Sequence, residues 1–170
     1  MTFPTLNSRE EAAKISSSMV SELRTKFLEA VAKAPELYYD KDVEKLKTND
    51  WSLQRFLNHS KSNVDKAVEC LDEAMKWRKS FGVHELNDKD FPREAYQSAP
   101  VILYGKDLNG SPLLIIRSKV NRKIKSWVPT AQKYFVHLVE KADSLDTGKG
   151  LSQLLPYHSH VSYNFRAICL

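Results

Sequence analysis

No run in the 170-residue sequence approaches the roughly 20 consecutive apolar residues that a bilayer-crossing helix needs. The opening stretch, MTFPTLNSREEAAK, lacks a basic region followed by an apolar core, so no secretory leader is expected. Cysteine is scarce. Cys70 and Cys169 stand far apart, with no His or Cys at metal-ligand spacing, which points to reduced structural thiols in an intracellular chain. The triplets Asn58-His59-Ser60 and Asn109-Gly110-Ser111 have the form of glycosylation acceptors and read as chance without a leader. Catalytic patterns are missing as well. Ser111 has no Gly-x-Ser-x-Gly elbow around it. The close pair His158 and His160 has no carboxylate nearby, and Gly148-Lys149-Gly150 lacks the upstream glycine and the Ser/Thr of a phosphate loop. The expectation is a protein that is not an enzyme, with no catalytic residue, no metal ligand and no cofactor.

Acidic residues are absent over one long stretch. Between Ser111 and Val139 there is no Asp or Glu, yet Arg117, Lys119, Arg122, Lys123, Lys125 and Lys133 are present. That segment carries +6 of a net +5, so the rest of the chain sums to −1. Charge concentrated in this way suggests a directed contact with something anionic. A Lys/Arg run after a strand is also what a solvated loop looks like. Ile124 and Trp127 among the charges favour a lipid surface, with Arg122, Lys123, Lys125 and Trp127 as its contacts. Nucleic acid is disfavoured, because the aromatic interleaving is too thin for a stacking platform and no recognition motif is present.

Periodicity organises the first half. Ser8 with Glu11 forms a capping-box pattern, and Ala12, Ile15, Met19, Leu23, Phe27, Val31 and Ala34 follow as one apolar stripe to Pro35. The spacing predicts a helix over Ser8–Ala34. Asp40 and Asp50 can cap two shorter helices, the first burying Val43 and Leu46, the second Leu53, Phe56 and Leu57. Asn63 opens a regular helix to Phe81, with Val64, Ala67, Val68, Leu71, Ala74, Met75 and Trp77 inward and Gly82 ending it. Asp90 and Pro92 can open a short helix through Tyr96. Val101–Tyr104 and Leu113–Ile116 then read as strands around the turn Asp107–Gly110, whose Asn-Gly pair is a strong hairpin signal. Pro129 suits the first turn of a helix bearing Ala131, Phe135, Leu138 and Ala142. The last twenty residues, Leu151–Leu170, hold a single charge, Arg166, and no convincing period.

Within 50–150, four segments in order resemble the CRAL-TRIO lipid-transfer family. Trp51-Ser52-Leu53-Gln54-Arg55-Phe56-Leu57 resembles the family's "LLRFLRAR" helix, and Val64-Asp65-Lys66-Ala67 its "F-D-V-x-K-A" step. Trp77 to Val83 resembles "W-R-x-x-F-G-V", and Tyr104 to Leu113 resembles the "G-x-D-x-x-G-R-P-V" hairpin that opens the lipid-binding half. The basic stretch and the helix after it are most similar to the motile-sperm-domain-containing branch. The resemblance implies an α+β fold: an N-terminal helical bundle, a β-hairpin and a helix, the first half of such a domain. It places the helical region at 1–100, the start of the lipid-binding region at 101–150 and a divergent tail at 151–170. The implied function is non-enzymatic lipid binding or transfer, with a phospholipid or other hydrophobic ligand and an anionic membrane as partners. Ile102, Tyr104, Leu114 and Ile116 would line the lipid. Burial of those residues against the domain's own helices is the competing reading.

The family's central strand, acidic element and gate helix do not follow Gly150 in recognisable form. The hairpin is therefore expected to keep an unpaired edge, and the chain alone is expected not to extract lipid. The location implied is cytoplasmic, or peripheral on the endoplasmic reticulum or other internal membranes. The alternative is a truncated isoform or gene-model product that binds no lipid and acts as a protein-interaction fragment.

Overall fold

A computed structural model describes residues 15–106, 110, 112–117 and 124–145, together with the backbone of a strand at Gln153–Tyr157. The chain separates between Phe81 and Gly82 into two units. The first is helical. Helix α1 spans Ser17–Lys33 and is capped by Ser16, whose Oγ accepts from the Met19 amide at 3.3 Å. The single helix expected over Ser8–Ala34 is therefore not continuous: Ser16 is extended (φ −78°, ψ 152°) and its hydroxyl caps the helix that starts at Ser17, while the capping box expected at Ser8 lies outside the described residues. Pro35 opens a 3-10 turn, Pro35–Leu37, as befits a residue that cannot continue α1.

Helices α2 (Asp40–Thr48) and α3 (Asp50–His59) each have their cap one residue before the aspartate expected to supply it. Tyr39 and Asn49 are the caps, and Asn49 Oδ1 accepts from the Ser52 amide at 3.3 Å. Asp40 and Asp50 instead sit in the first turn, where a carboxylate complements the helix dipole. Helix α4 (Val64–Phe81) starts as expected, with Asn63 Oδ1 accepting from the Lys66 amide at 3.0 Å. It gives way to Gly82 at φ +76°, a left-handed position that suits a residue without Cβ.

The apolar stripes meet as their spacing requires. Leu23 and Phe27 of α1, Leu53, Phe56 and Leu57 of α3, and Leu71 of α4 are at most 1% exposed. Polar ties then fix how the short helices lie. Arg78 grips the buried Asp42 carboxylate through two hydrogen bonds of 2.7 and 3.1 Å, a bidentate geometry that sets orientation as well as charge. Arg24 of α1 donates to the Leu46 carbonyl at 3.2 Å and pairs with Asp50, so one side chain serves the end of α2 and the start of α3. Tyr38 packs edge-on against Phe27 and donates its hydroxyl to Asp72. Burial, and secondarily the Asp72 carboxylate, raises its phenol pKa.

The second unit combines strands and helices. A 3-10 turn at Asp88–Asp90 precedes α5 (Arg93–Ser98), whose cap is Pro92 rather than Asp90. Strands β1 (Val101–Lys106) and β2 (Pro112–Arg117) pair antiparallel, with Val101 opposite Ile116, Ile102 opposite Ile115 and Leu103 opposite Leu114. The pairing shifts between Leu103 and Lys106, where Gly105 has φ +66°. Residues 107–109 of the expected turn lie outside the described residues; Gly110 has φ +81°, as a primed hairpin turn demands. A 3-10 turn, Lys125–Trp127, leads into α6 (Val128–Ser144) with Pro129 in its first turn.

The fold class is thus α+β, a helical bundle followed by a hairpin and a helix. The weakly patterned end holds an element that its composition did not announce. Strand β3 (Gln153–Tyr157) pairs parallel with β2, aligning Leu114 with Leu154 and Ile116 with Pro156. The sheet order is β1-β2-β3, so β2 is central and the hairpin edge expected to stay open on that side is filled.

Lys61 and Ser62, joining α3 to α4, are consecutive non-glycine residues at φ +51° and +62°. Their amides are satisfied by the Asn58 and Leu57 carbonyls at 3.2 and 2.8 Å, which holds the turn against its backbone strain. A left-handed residue with a Cβ costs roughly 1–2 kcal/mol, and glycine recovers this less about 0.5–1 kcal/mol of entropy. Lys61→Gly should therefore raise unfolding stability by about 0.5 kcal/mol in urea titration, whereas glycine in the middle of α4 should lower it.

Candidate functional site

Pairing register decides which side chains of the sheet share a face, because successive residues alternate across a strand. Val101, Leu103, Leu114 and Ile116 lie on one face; Ile102, Tyr104, Leu113 and Ile115 lie on the other. Helix α6 covers the first. Leu114 is fully buried among Phe91, Ala95, Val101, Tyr134, Leu138 and Ala142. The stripe of α6 that reaches deepest runs Tyr134, Leu138, Ala142, while the expected Ala131 and Phe135 are only partly buried.

The four residues expected to line a lipid are consequently divided. Ile102 and Tyr104 share the face opposite α6, where Tyr104 is 67% exposed. Leu114 and Ile116 lie on the helix-covered face, and Leu114 is spent on the core. The set that geometry brings together on the face opposite α6 is Ile102, Tyr104, Leu113 and Ile115, of which Tyr104 is exposed and the other three are half-buried. Leu113 and Ile115 escaped sequence reading because a run of four apolar residues gives no hint of which alternate pair faces the helix.

The basic stretch falls on the connection from β2 to α6. Arg117 at the end of β2, Lys125 in the 3-10 turn and Lys133 on α6 are all exposed. Lys119, Arg122 and Lys123 lie outside the described residues. Trp127, expected as an interfacial anchor, is instead half-buried against the core of the unit. Among the described residues here, the exposed apolar ones are its neighbours Ile124 and Val128.

His137, which carries no motif in sequence, organises a cluster. Its Nε2 lies 2.9 Å from Asp88 Oδ1, and Lys141, one turn on, donates to both oxygens of that carboxylate at 2.5 and 2.7 Å. Tyr96 donates to the Asp88 carbonyl at 2.8 Å. Four residues from α5, α6 and the turn at Asp88–Asp90 thereby tie these elements together. The i, i+4 spacing of His137 and Lys141 was legible; their partner 49 residues away was not. The Lys141 ammonium foremost, and His137 next, hold the Asp88 carboxyl down at about 2. These contacts hold the turn at Asp88–Asp90, α5 and α6 together.

Among the described residues no group of three His, Cys, Asp or Glu is placed to hold a metal, and no helix is long and apolar enough to cross a membrane. No protein-family model and no solved structure matches the chain.

A carboxyl depressed in the folded state stabilises it above the unfolded pKa of 3.8, and that contribution fades as pH falls from there through about 2. Asp88 is 59% exposed, so solvent screening keeps the effect modest. Asp88→Ala should cost about 1 kcal/mol near neutral pH. The gap from the parent, followed by denaturant titration, should narrow between about pH 4 and pH 2 as the carboxyl protonates.

Proposed function

We propose that the chain is a non-enzymatic lipid-binding module of CRAL-TRIO type that docks on an anionic membrane. Two considerations support the reading. Four motifs resemble that family in the order the family has them, and a bundle, hairpin and helix follow one another as the resemblance implies. The observation that carries docking is the distribution of charge. Six cations without an acid occupy 111–139, and the described ones, Arg117 at the end of β2, Lys125 in the 3-10 turn and Lys133 on α6, are exposed.

The physics is that of a local cationic patch. Each Lys or Arg near an anionic leaflet contributes roughly 1 kcal/mol, and the field decays over about 8 Å at physiological salt. Helix α6 adds to it. Its first turn holds no acidic residue, and its amides carry the positive end of the helix dipole. A bound hydrophobic ligand would lie on the sheet face of Ile102, Tyr104, Leu113 and Ile115, the side that α6 leaves free.

Binding to vesicles containing phosphatidylserine should exceed binding to phosphatidylcholine vesicles and should weaken with added salt. Replacing Arg122, Lys123 and Lys125 with Ala should remove most of it, read by co-sedimentation. Equal binding by the triple variant would identify the patch as a solvated loop.

Carrying a lipid away is a stronger demand. An acyl chain needs a closed wall, since each CH₂ left in water forfeits roughly 0.8 kcal/mol. Among the described residues α6 packs on one face of the sheet; on the other Tyr104 stays exposed while Ile102, Leu113 and Ile115 are half-buried. The chain alone should bind membranes without transferring lipid. Mass spectrometry of the purified protein should find no stoichiometric lipid; a monomer carrying one lipid per chain would contradict this.

A further inference from the structure

We propose that Ile124 and Val128 form a wedge that enters the headgroup–acyl boundary of an anionic membrane, with Lys125 and Lys133 holding lipid phosphates beside it. The inference rests on the docking reading above and names what that reading lacks, the residues that leave water.

Ile124 is 54% and Val128 45% exposed. Single exposed aliphatics are ordinary, so exposure alone decides nothing. This pair is set apart by its place. The two residues flank the 3-10 turn Lys125–Trp127, where the Trp127 amide donates to the Ile124 carbonyl at 2.9 Å. Trp127, between them, is half-buried against the core. The next exposed positions of α6 are Pro129, Gln132 and Lys133, so the strip carries no acid to repel lipid phosphate.

The occupant follows from size and charge. Two aliphatic side chains fall far short of the roughly 1,200–2,000 Å² that a stable protein interface buries. A bilayer needs no such area, because shallow apolar insertion and charge attraction add. A second copy of this chain is a poor partner, since pairing would bring two +6 segments together.

The test compares Ile124→Asn/Val128→Asn with the parent on phosphatidylserine-containing vesicles over a range of salt. The expected result is a loss of about tenfold in partitioning at every salt concentration, with the salt dependence unchanged, because insertion is lost and charge is kept. Ile124→Trp, a gain rather than a loss of apolar surface, should bind more tightly and show a blue-shifted emission component on vesicles. If both variants partition like the parent, docking is purely electrostatic and the wedge is wrong. If the parent fails to bind anionic vesicles, the docking reading falls and the wedge falls with it. If the parent is a dimer that the double Asn variant converts to monomer, the occupant is a second copy and the proposal is overturned.

Discussion

A single helix can cover only one face of a sheet, and everything in the second unit follows from which face α6 takes. Leu114 settles it. At the centre of β2, wholly buried against Leu138, Tyr134 and Ala142, it commits Val101, Leu103 and Ile116 to the same side by the two-residue period of the strands. Ile102, Tyr104, Leu113 and Ile115 must then face away. The same packing leads the β2-to-α6 connection, where Lys125 is exposed, into a long helix and sets Trp127 half-buried against the core. The faces on which a ligand or a bilayer could act are thus residues of a packing decision made elsewhere.

The first unit was the more legible in sequence because its determinants are local. Stripes at three- and four-residue spacing mark α4 and the span of α1 from Ser17; Leu23, Phe27, Leu53, Phe56, Leu57 and Leu71 are buried as expected, whereas Val64, Val68 and Trp77 are only partly buried and Val20, off the expected stripe, is buried. The caps were misplaced by one residue at α2 and α3. Asp is acceptable both as a cap and in a first turn, and adjacent Asn49 and Asp50 compete for the same end. Ties such as Asp42 to Arg78, 36 residues apart, leave no periodic trace.

The second unit was read correctly in kind and less well in detail. The hairpin announced itself through Asn109-Gly110, but the facing of Leu113–Ile116 did not, since an unbroken apolar run hides its alternation. Trp127 reads as a membrane contact because charges surround it in sequence; it is half-buried in the structure, and the aliphatic Ile124 and Val128 beside it are exposed. Strand β3 was missed because a short strand flanking a central one needs no alternating pattern. Asp88, His137 and Lys141 were passed over because a cluster of order-giving contacts looks in sequence like scattered surface charge.

The central claim is that the connection from β2 into α6 is where the chain meets an anionic membrane. Hydrogen–deuterium exchange with and without phosphatidylserine vesicles tests it directly. The account predicts added protection for amides between 124 and 133, lost at high salt, with α1 to α4 unchanged. Protection confined to the first unit, or none at 124–133 while the protein is vesicle-bound, would contradict it.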